Sequence, residues 1–243
     1  MVLKDKASRI MKTSILNNIT TFVWRMIRLN FFFTIANAVL VFALLFIPFH
    51  IISLPLYILA AFLFVPSLVG LVSAIKRTDD ASPPLRKLYF RCYCEEFKDS
   101  LRFAVMYIAG ALVLFAMFIF AQDAPNMGLI MPLYFVLAIV LYVHFILAIL
   151  IRVNFIIDFK GTLRLGLYCI SKYPPAALLI LATTIALGLL IPVVPMLLPF
   201  GAIPAMFYLF LATTKKMIND ISDVVLIAEN KEDKTIESKD DSK

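Results

Sequence analysis

Residues 30–75 form a run of 46 positions without Asp, Glu, Lys or Arg. A spanning helix needs only about 20 apolar residues, so a run of this length holds two helices and a turn. Pro48, His50, Ser53 and Pro55 mark that turn. Proline disfavours continuation of a helix, and the polar residues tolerate a membrane interface. The pattern predicts a first hairpin of spans 31–47 and 56–75.

The rest of the chain belongs to the same class. With 62% hydrophobic residues, 16% charged and a mean hydropathy of +0.94, it has too little polar surface to cover a soluble globule. Its start is basic, with Lys4, Lys6, Arg9 and Lys12. Ile15, Ile19, Phe22, Val23, Met26 and Ile27 then recur at helical spacing with Arg25 and Arg28 on the other side, the pattern of a helix lying in the membrane interface. Ala36-Asn37-Ala38 has the small residues of a cleavage site but stands near the start of an apolar run, so a cleaved signal peptide is not expected.

Lys76, Arg77, Asp79 and Asp80 end the first hairpin. Ser82 before Pro83 and Pro84 reads as an N-cap, opening a helix through the charged stretch 89–102 and on into a third span, 103–121. A turn at 122–126 precedes a fourth span, 133–151, which Arg152 closes. Asp158, Lys160, Arg164 and Lys172 lie in a second basic amphipathic connection that ends at Pro174 and Pro175. The remaining apolar stretch, 176–212, is too long for one helix and carries Pro192, Pro195, Pro199 and Gly201 in its middle. It divides into spans 176–194 and 199–214, the latter either a full span or a re-entrant segment.

The expected fold is therefore all-α: a polytopic membrane helical bundle of about six transmembrane helices in three hairpins, with cytoplasmic amphipathic connecting helices. The membrane domain covers 1–228. The tail, 229–243, is polar and charged, cannot bury a core and is expected to be disordered. If the turns near His50, Asp123 and Pro195 face outward, all 23 Lys and Arg lie on the other side. The positive-inside rule then places both termini in the cytoplasm.

No expected span contains Asp, Glu, Lys or Arg. Such residues cost at least ~2.5 kcal/mol at a helix centre and mark ion or proton pathways, so their absence counts against a pump. His144 lies well inside the fourth span and is expected to be a neutral imidazole bonded to a neighbouring helix. Asn37, Thr183 and Thr184 carry the same expectation. Gly70 with Ala74, and Ala182 with Ala186, are small residues one turn apart that allow close helix approach. Glu95 and Glu96 beside Lys98 and Arg102 are expected to pair along one helix.

Cys92, Cys94 and Cys169 are odd in number and fall in cytoplasmic segments, where thiols stay reduced. Their spacing suits no metal site, and no cofactor or nucleic-acid partner is expected. The sequence has no zinc-protease, nucleophile-elbow or phosphate-loop motif, so the chain does not read as an enzyme.

One element recurs. Phe97, Lys98, Ser100, Leu101 and Arg102 are matched 62 positions later by Phe159, Lys160, Thr162, Leu163 and Arg164. Lys98 with Arg102, and Lys160 with Arg164, share a helix face at i, i+4. With Phe97 and Phe159 they form a candidate docking surface for anionic inner-leaflet lipids or a protein partner.

Phe90, Tyr93, Glu96, Phe97, Lys98 and Ser100 also resemble a segment of the YesL-like family of bacterial integral membrane proteins of unknown biochemical function. Pro66-Ser67-Leu68-Val69-Gly70 with Lys76-Arg77, and Leu29-Asn30-Phe31-Phe32, are similar to that family's spans. The resemblance is concentrated in residues 20–110. It implies a bacterial plasma-membrane protein linked to carbohydrate uptake or use, and no catalytic residues. The expected function is a non-enzymatic accessory to a partner such as a sugar-transporter component. The alternative is a carrier for a small neutral solute.

Overall fold

In the computed structural model the backbone is described at 2–48, 50–79, 84–122, 127–194 and 201–240. Side chains are described at 17–48, 50, 52–78, 84–120, 131–194 and 201–223. Among these residues all regular structure is helical. The order is α1 (Val2–Ala36), α2 (Ala38–Phe46), α3 (Leu54–Lys76), α4 (Leu85–Gln122), α5 (Met127–Asn154), α6 (Phe159–Lys172), α7 (Pro174–Val193) and α8 (Ala202–Asp240). Short 3-10 turns at Ile51–Ser53 and Arg77–Asp79 flank α3.

The fold is built around α3. Its residues 65–75 are all buried, without a break for an exposed face. A helix apolar on every side needs neighbours on every side, and α1, α4, α5 and α8 all contact it. Leu29 and Phe33 of α1, Tyr89 of α4, Leu147 of α5 and Phe207 and Phe210 of α8 share its core cluster. α4 packs along α3 more extensively than any other pair does. Gly70 permits this, because a Cβ there would lie 2.9 Å from the Tyr93 Cα.

Among the described residues four helices are long and apolar enough to cross a membrane: α3, α4, α5 and α7. α1 and α2 together add a fifth if they count as one span. The expected first span, 31–47, is divided at Asn37, where the two axes bend by 75°. The Asn37 carboxamide donates to the Phe33 carbonyl at 2.8 Å and to Ser67 Oγ at 2.6 Å, a side-chain alternative to the helical ladder. Residues 31–36 consequently continue α1, whose buried stripe is Met26, Leu29, Asn30 and Phe33. Of the face expected for an interfacial helix, Ile19 and Val23 are exposed and Ile15 lies outside the described side chains.

The expected sixth span, 199–214, contributes residues 202–214 to α8 before Lys215 and Lys216. At ~1.5 Å per residue this is about 20 Å of helix, short of the ~30 Å hydrocarbon core. Gly201 begins it at φ +100, packed on the backbone of Met26 in α1; that left-handed conformation suits glycine. Ser82 and Pro83, read as the start of α4, lie outside the described residues. The backbone of α8 continues into the tail segment 229–240, whose side chains also lie outside the description.

Exposure is uneven along the bundle. Val113 and Phe120 of α4, Phe135 and Val136 of α5, and Leu178, Ile185 and Leu189 of α7 are all exposed. Apolar surface on this scale suits a hydrocarbon solvent and not water. Burial is unbroken along α3 residues 65–75 and α5 residues 146–151, close to the charged ends of both helices.

Two glycines test this packing. Gly70→Ala is expected to cost about 1–3 kcal/mol, because a methyl group would be forced against helix backbone. Gly188→Ala, in α7 with nothing within 4 Å, is expected to be neutral or to gain up to about 1 kcal/mol of helix propensity. The midpoints of unfolding in mixed micelles measure both, and equal midpoints would refute the close approach of α3 and α4.

Candidate functional site

The charged stretch of α4 works as a clamp. Glu95 binds Arg77 at the end of α3, 2.7 Å away, and lies 3.7 Å from Arg91 on its own helix. Glu96 and Asp99 reach Arg152 near the end of α5, at 3.4 and 2.6 Å. Arg152 also donates to the Ile157 carbonyl at 3.1 Å, and Lys76 donates to the Val153 carbonyl at 3.0 Å. Sequence spacing suggested pairing of Glu95 and Glu96 with Lys98 and Arg102 along the helix. The acidic side chains instead join the ends of α3 and α5, because the packing brings those ends onto the acidic face of α4. The ordinary i, i+4 pairing is kept by Arg91 and Glu95. The Arg77 guanidinium is held above its usual value, chiefly by its hydrogen bond to Glu95.

Lys98, Arg102, Lys160 and Arg164 are all exposed and have no ion pair among the described residues. Phe97 is half-buried against the Tyr93 ring of its own helix, with centroids 5.4 Å apart. Phe159 instead meets Phe103 of α4 at 4.9 Å, edge to face. The two copies of the repeat thus become spatial neighbours through the residue that follows Arg102. Their hydroxyl positions are both buried: Thr162 donates to the Asp158 carbonyl at 3.0 Å, whereas Ser100 Oγ has no partner among the described residues.

α6 is the amphipathic helix that carries the second copy. Asp158 caps it, its carboxylate accepting from the Gly161 N–H at 3.1 Å. Thr162, Gly166 and Cys169 are buried, while Lys160, Arg164, Leu167, Tyr168 and Lys172 are exposed. The Lys172 ammonium lies 5.8 Å from the centroid of the Tyr168 ring.

Beneath α6, His144 joins three helices. Its Nδ1 lies 2.9 Å from the Tyr107 hydroxyl of α4, and its Nε2 lies 3.0 Å from the Leu163 carbonyl of α6. A carbonyl only accepts, so Nε2 carries a proton. In the neutral imidazole Nδ1 then accepts from Tyr107, and both nitrogens are satisfied. Gly166 makes room for this, since a Cβ there would stand 2.9 Å from the ring. Nothing in the sequence linked His144 to Tyr107, which lies 37 positions away and in another helix.

A second polar node joins α1, α3 and α4. Ser67 Oγ receives Asn37 and lies 2.8 Å from the Tyr89 hydroxyl. Asn37 Oδ1 itself has no partner among the described residues. Thr184 of α7 meets the Tyr142 hydroxyl of α5 at 2.7 Å. Asn37, Thr184 and His144 therefore make the helix-to-helix bonds expected of them. Ala182 and Ala186 are exposed and bring no helix close, unlike Gly70. Cys92 and Cys169 are buried free thiols and Cys94 is an exposed one.

Comparison of the chain with protein-family models, curated proteins and solved structures finds no match. The site is consequently read from its geometry: exposed cations and half-buried aromatic rings on two helices, held by the Arg152 clamp and the His144 node.

His144→Gln retains hydrogen-bonding groups and is expected to keep the folded protein within about 1 kcal/mol of the original. His144→Leu strands the Tyr107 hydroxyl and the Leu163 carbonyl, and is expected to cost about 1–2 kcal/mol, given the modest worth of such bonds in membranes. Unfolding midpoints in detergent, with the yield of monodisperse protein, distinguish the two. Equal midpoints would mean that the node contributes nothing to stability.

Proposed function

We propose that this chain is a non-enzymatic accessory protein of the bacterial plasma membrane that holds a partner on its cytoplasmic face. The observation that carries this reading is the pairing of unneutralised, exposed Lys98, Arg102, Lys160 and Arg164 with half-buried Phe97 and Phe159 on two helices in contact. Cations supply orientation and partner choice, and partly exposed aromatic rings supply contact area, the usual division of labour at a docking surface. The resemblance to the YesL-like family supports a partner from carbohydrate uptake, such as a sugar-transporter component.

The alternative of a neutral-solute carrier has less support. The centre of the bundle is filled by α3, with residues 65–75 buried throughout, and the expected spans bring no charged group to a pathway.

The proposed topology has six crossings and cytoplasmic termini. The end of α1 with α2 forms the first crossing and residues 199–214 form a thin sixth, short stretches that a bilayer accommodates by local thinning. In that topology all 23 Lys and Arg fall on one side, as the positive-inside rule requires, which supports it.

Cysteine labelling tests the topology, and the structure simplifies the background. Burial raises the Cys92 thiol above its ordinary value and pushes Cys169 up to about 11, so both are poor nucleophiles at neutral pH. Replacing Cys94 with Ser should silence the native chain. In that background Asp123→Cys is expected to react with an impermeant maleimide in intact cells and Ser238→Cys is not. Labelling of Ser238→Cys from outside would require an odd number of crossings.

The docking reading is tested by Phe97→Ala with Phe159→Ala, every charge retained. Crosslinking to a co-purifying transporter subunit is expected to fall several-fold with topology unchanged. Solute flux into vesicles containing only this protein would favour the carrier instead.

A further inference from the structure

A cleft of about 380 Å³ lies between α3, α4 and α5, walled by Phe64, Ile108, Leu114, Ala138 and Leu141 together with three tyrosines. Two of those tyrosines turn their hydroxyls to partners: Tyr107 to His144 at 2.9 Å, and Tyr142 to Thr184 at 2.7 Å. Their rings therefore present mainly carbon to the cleft, a poor surface for a polar solute. Along α5 the wall extends from Tyr134 to Phe145, eleven residue steps. At ~1.5 Å each this is about 16 Å, close to half of the ~30 Å hydrocarbon core and so to the depth of one leaflet.

One end of the cleft is marked by charge. Tyr107 and Phe145 belong both to its wall and to the cluster in which Phe103 packs with Phe159 and Leu163 of α6. The residue after each of those two α6 side chains is a cation, Lys160 or Arg164, exposed and without an ion pair among the described residues. Basic pockets between helices at the cytoplasmic side of a membrane are suited to anionic head groups.

We propose that the cleft and this pair of cations form one binding site for an anionic phospholipid, with an acyl chain along α5 and the phosphate between Lys160 and Arg164. The site rests on the membrane-spanning reading and shares Lys160 and Arg164 with the proposed docking surface, but it needs no protein partner to form. Loss of partner crosslinking would leave it standing, and loss of the lipid would leave docking through Phe97 and Lys98 intact.

The test uses the full chain, purified in detergent, exchanged into phosphatidylglycerol or phosphatidylcholine of identical acyl chains, and examined by native mass spectrometry. The expected result is one retained phosphatidylglycerol per copy, preferred over phosphatidylcholine by roughly thirtyfold, the equivalent of about 1 kcal/mol for each of two charges. Lys160→Gln with Arg164→Gln should abolish the preference while leaving the unfolding midpoint unchanged, since both side chains are exposed. Ala138→Phe, which fills the cleft, should reduce retention of both lipids. Equal retention of the two lipids by the unaltered chain would overturn the proposal. An equal loss of preference in Lys98→Gln with Arg102→Gln would also overturn it, because it would reduce the effect to general surface charge. If Ala138→Phe does not fold, the two charge pairs still decide.

Discussion

Burial of α3 on every side is the constraint from which the arrangement of the other helices follows. With residues 65–75 enclosed, α1, α4, α5 and α8 must each give up a face to it, and the contacts are mostly apolar side chains with a few hydrogen-bonded polar ones. Gly70 lets α4 approach so closely that a Cβ there would meet the Tyr93 backbone. Lipid offers helices no hydrophobic drive to associate, so fit of this kind and a few buried hydrogen bonds must hold them. The Asn37, Ser67 and Tyr89 node does both, because it binds three helices and occupies the point where α1 turns into α2.

Much of the fold was legible because hydrocarbon imposes one rule on every span: long apolar runs become helices, and charges mark their ends. α3 and α7 lie within two residues of the expected 56–75 and 176–194 for that reason, α5 extends beyond the expected 133–151 at both ends, and α4 runs unbroken from the charged stretch into its span. The bend at Asn37 was not legible. An asparagine in an apolar run signals a polar contact, but whether it bends the helix depends on where Ser67, 30 positions away, presents its hydroxyl. The last apolar stretch was ambiguous in sequence, and α8 shows the physical source: its apolar start is shorter than the hydrocarbon core is thick, yet Phe207 and Phe210 are buried in the core.

The candidate site divides in the same way. Local spacing revealed the repeated Phe, basic and Leu element, since i, i+4 neighbours share a face whatever the tertiary structure. It gave no sign that Phe159 would meet Phe103, or that Arg152 would take Glu96 from the helix pairing expected with Lys98 and Arg102 and bind Asp99 besides. Those partners lie more than 50 positions apart, and only the packing of α4 against α5 and α6 brings them together.

The uneven distribution of order bears on function. Near the charged end, α3, α4, α5 and α8 share a continuous core, and the clamp on Arg152 fixes the end of α5 against α4. Toward the other end, α2, α7 and the far halves of α4 and α5 present apolar side chains outward with few protein neighbours. A carrier that alternates its access needs two packed arrangements of its centre with a polar route between them. Here the centre is α3 itself, whose enclosed residues 65–75 are uncharged and whose Ser67 hydroxyl is already engaged by Asn37 and Tyr89. Rigidity at the basic end and lipid exposure at the other suit a protein that presents a fixed surface from the membrane better than one that moves solute through it.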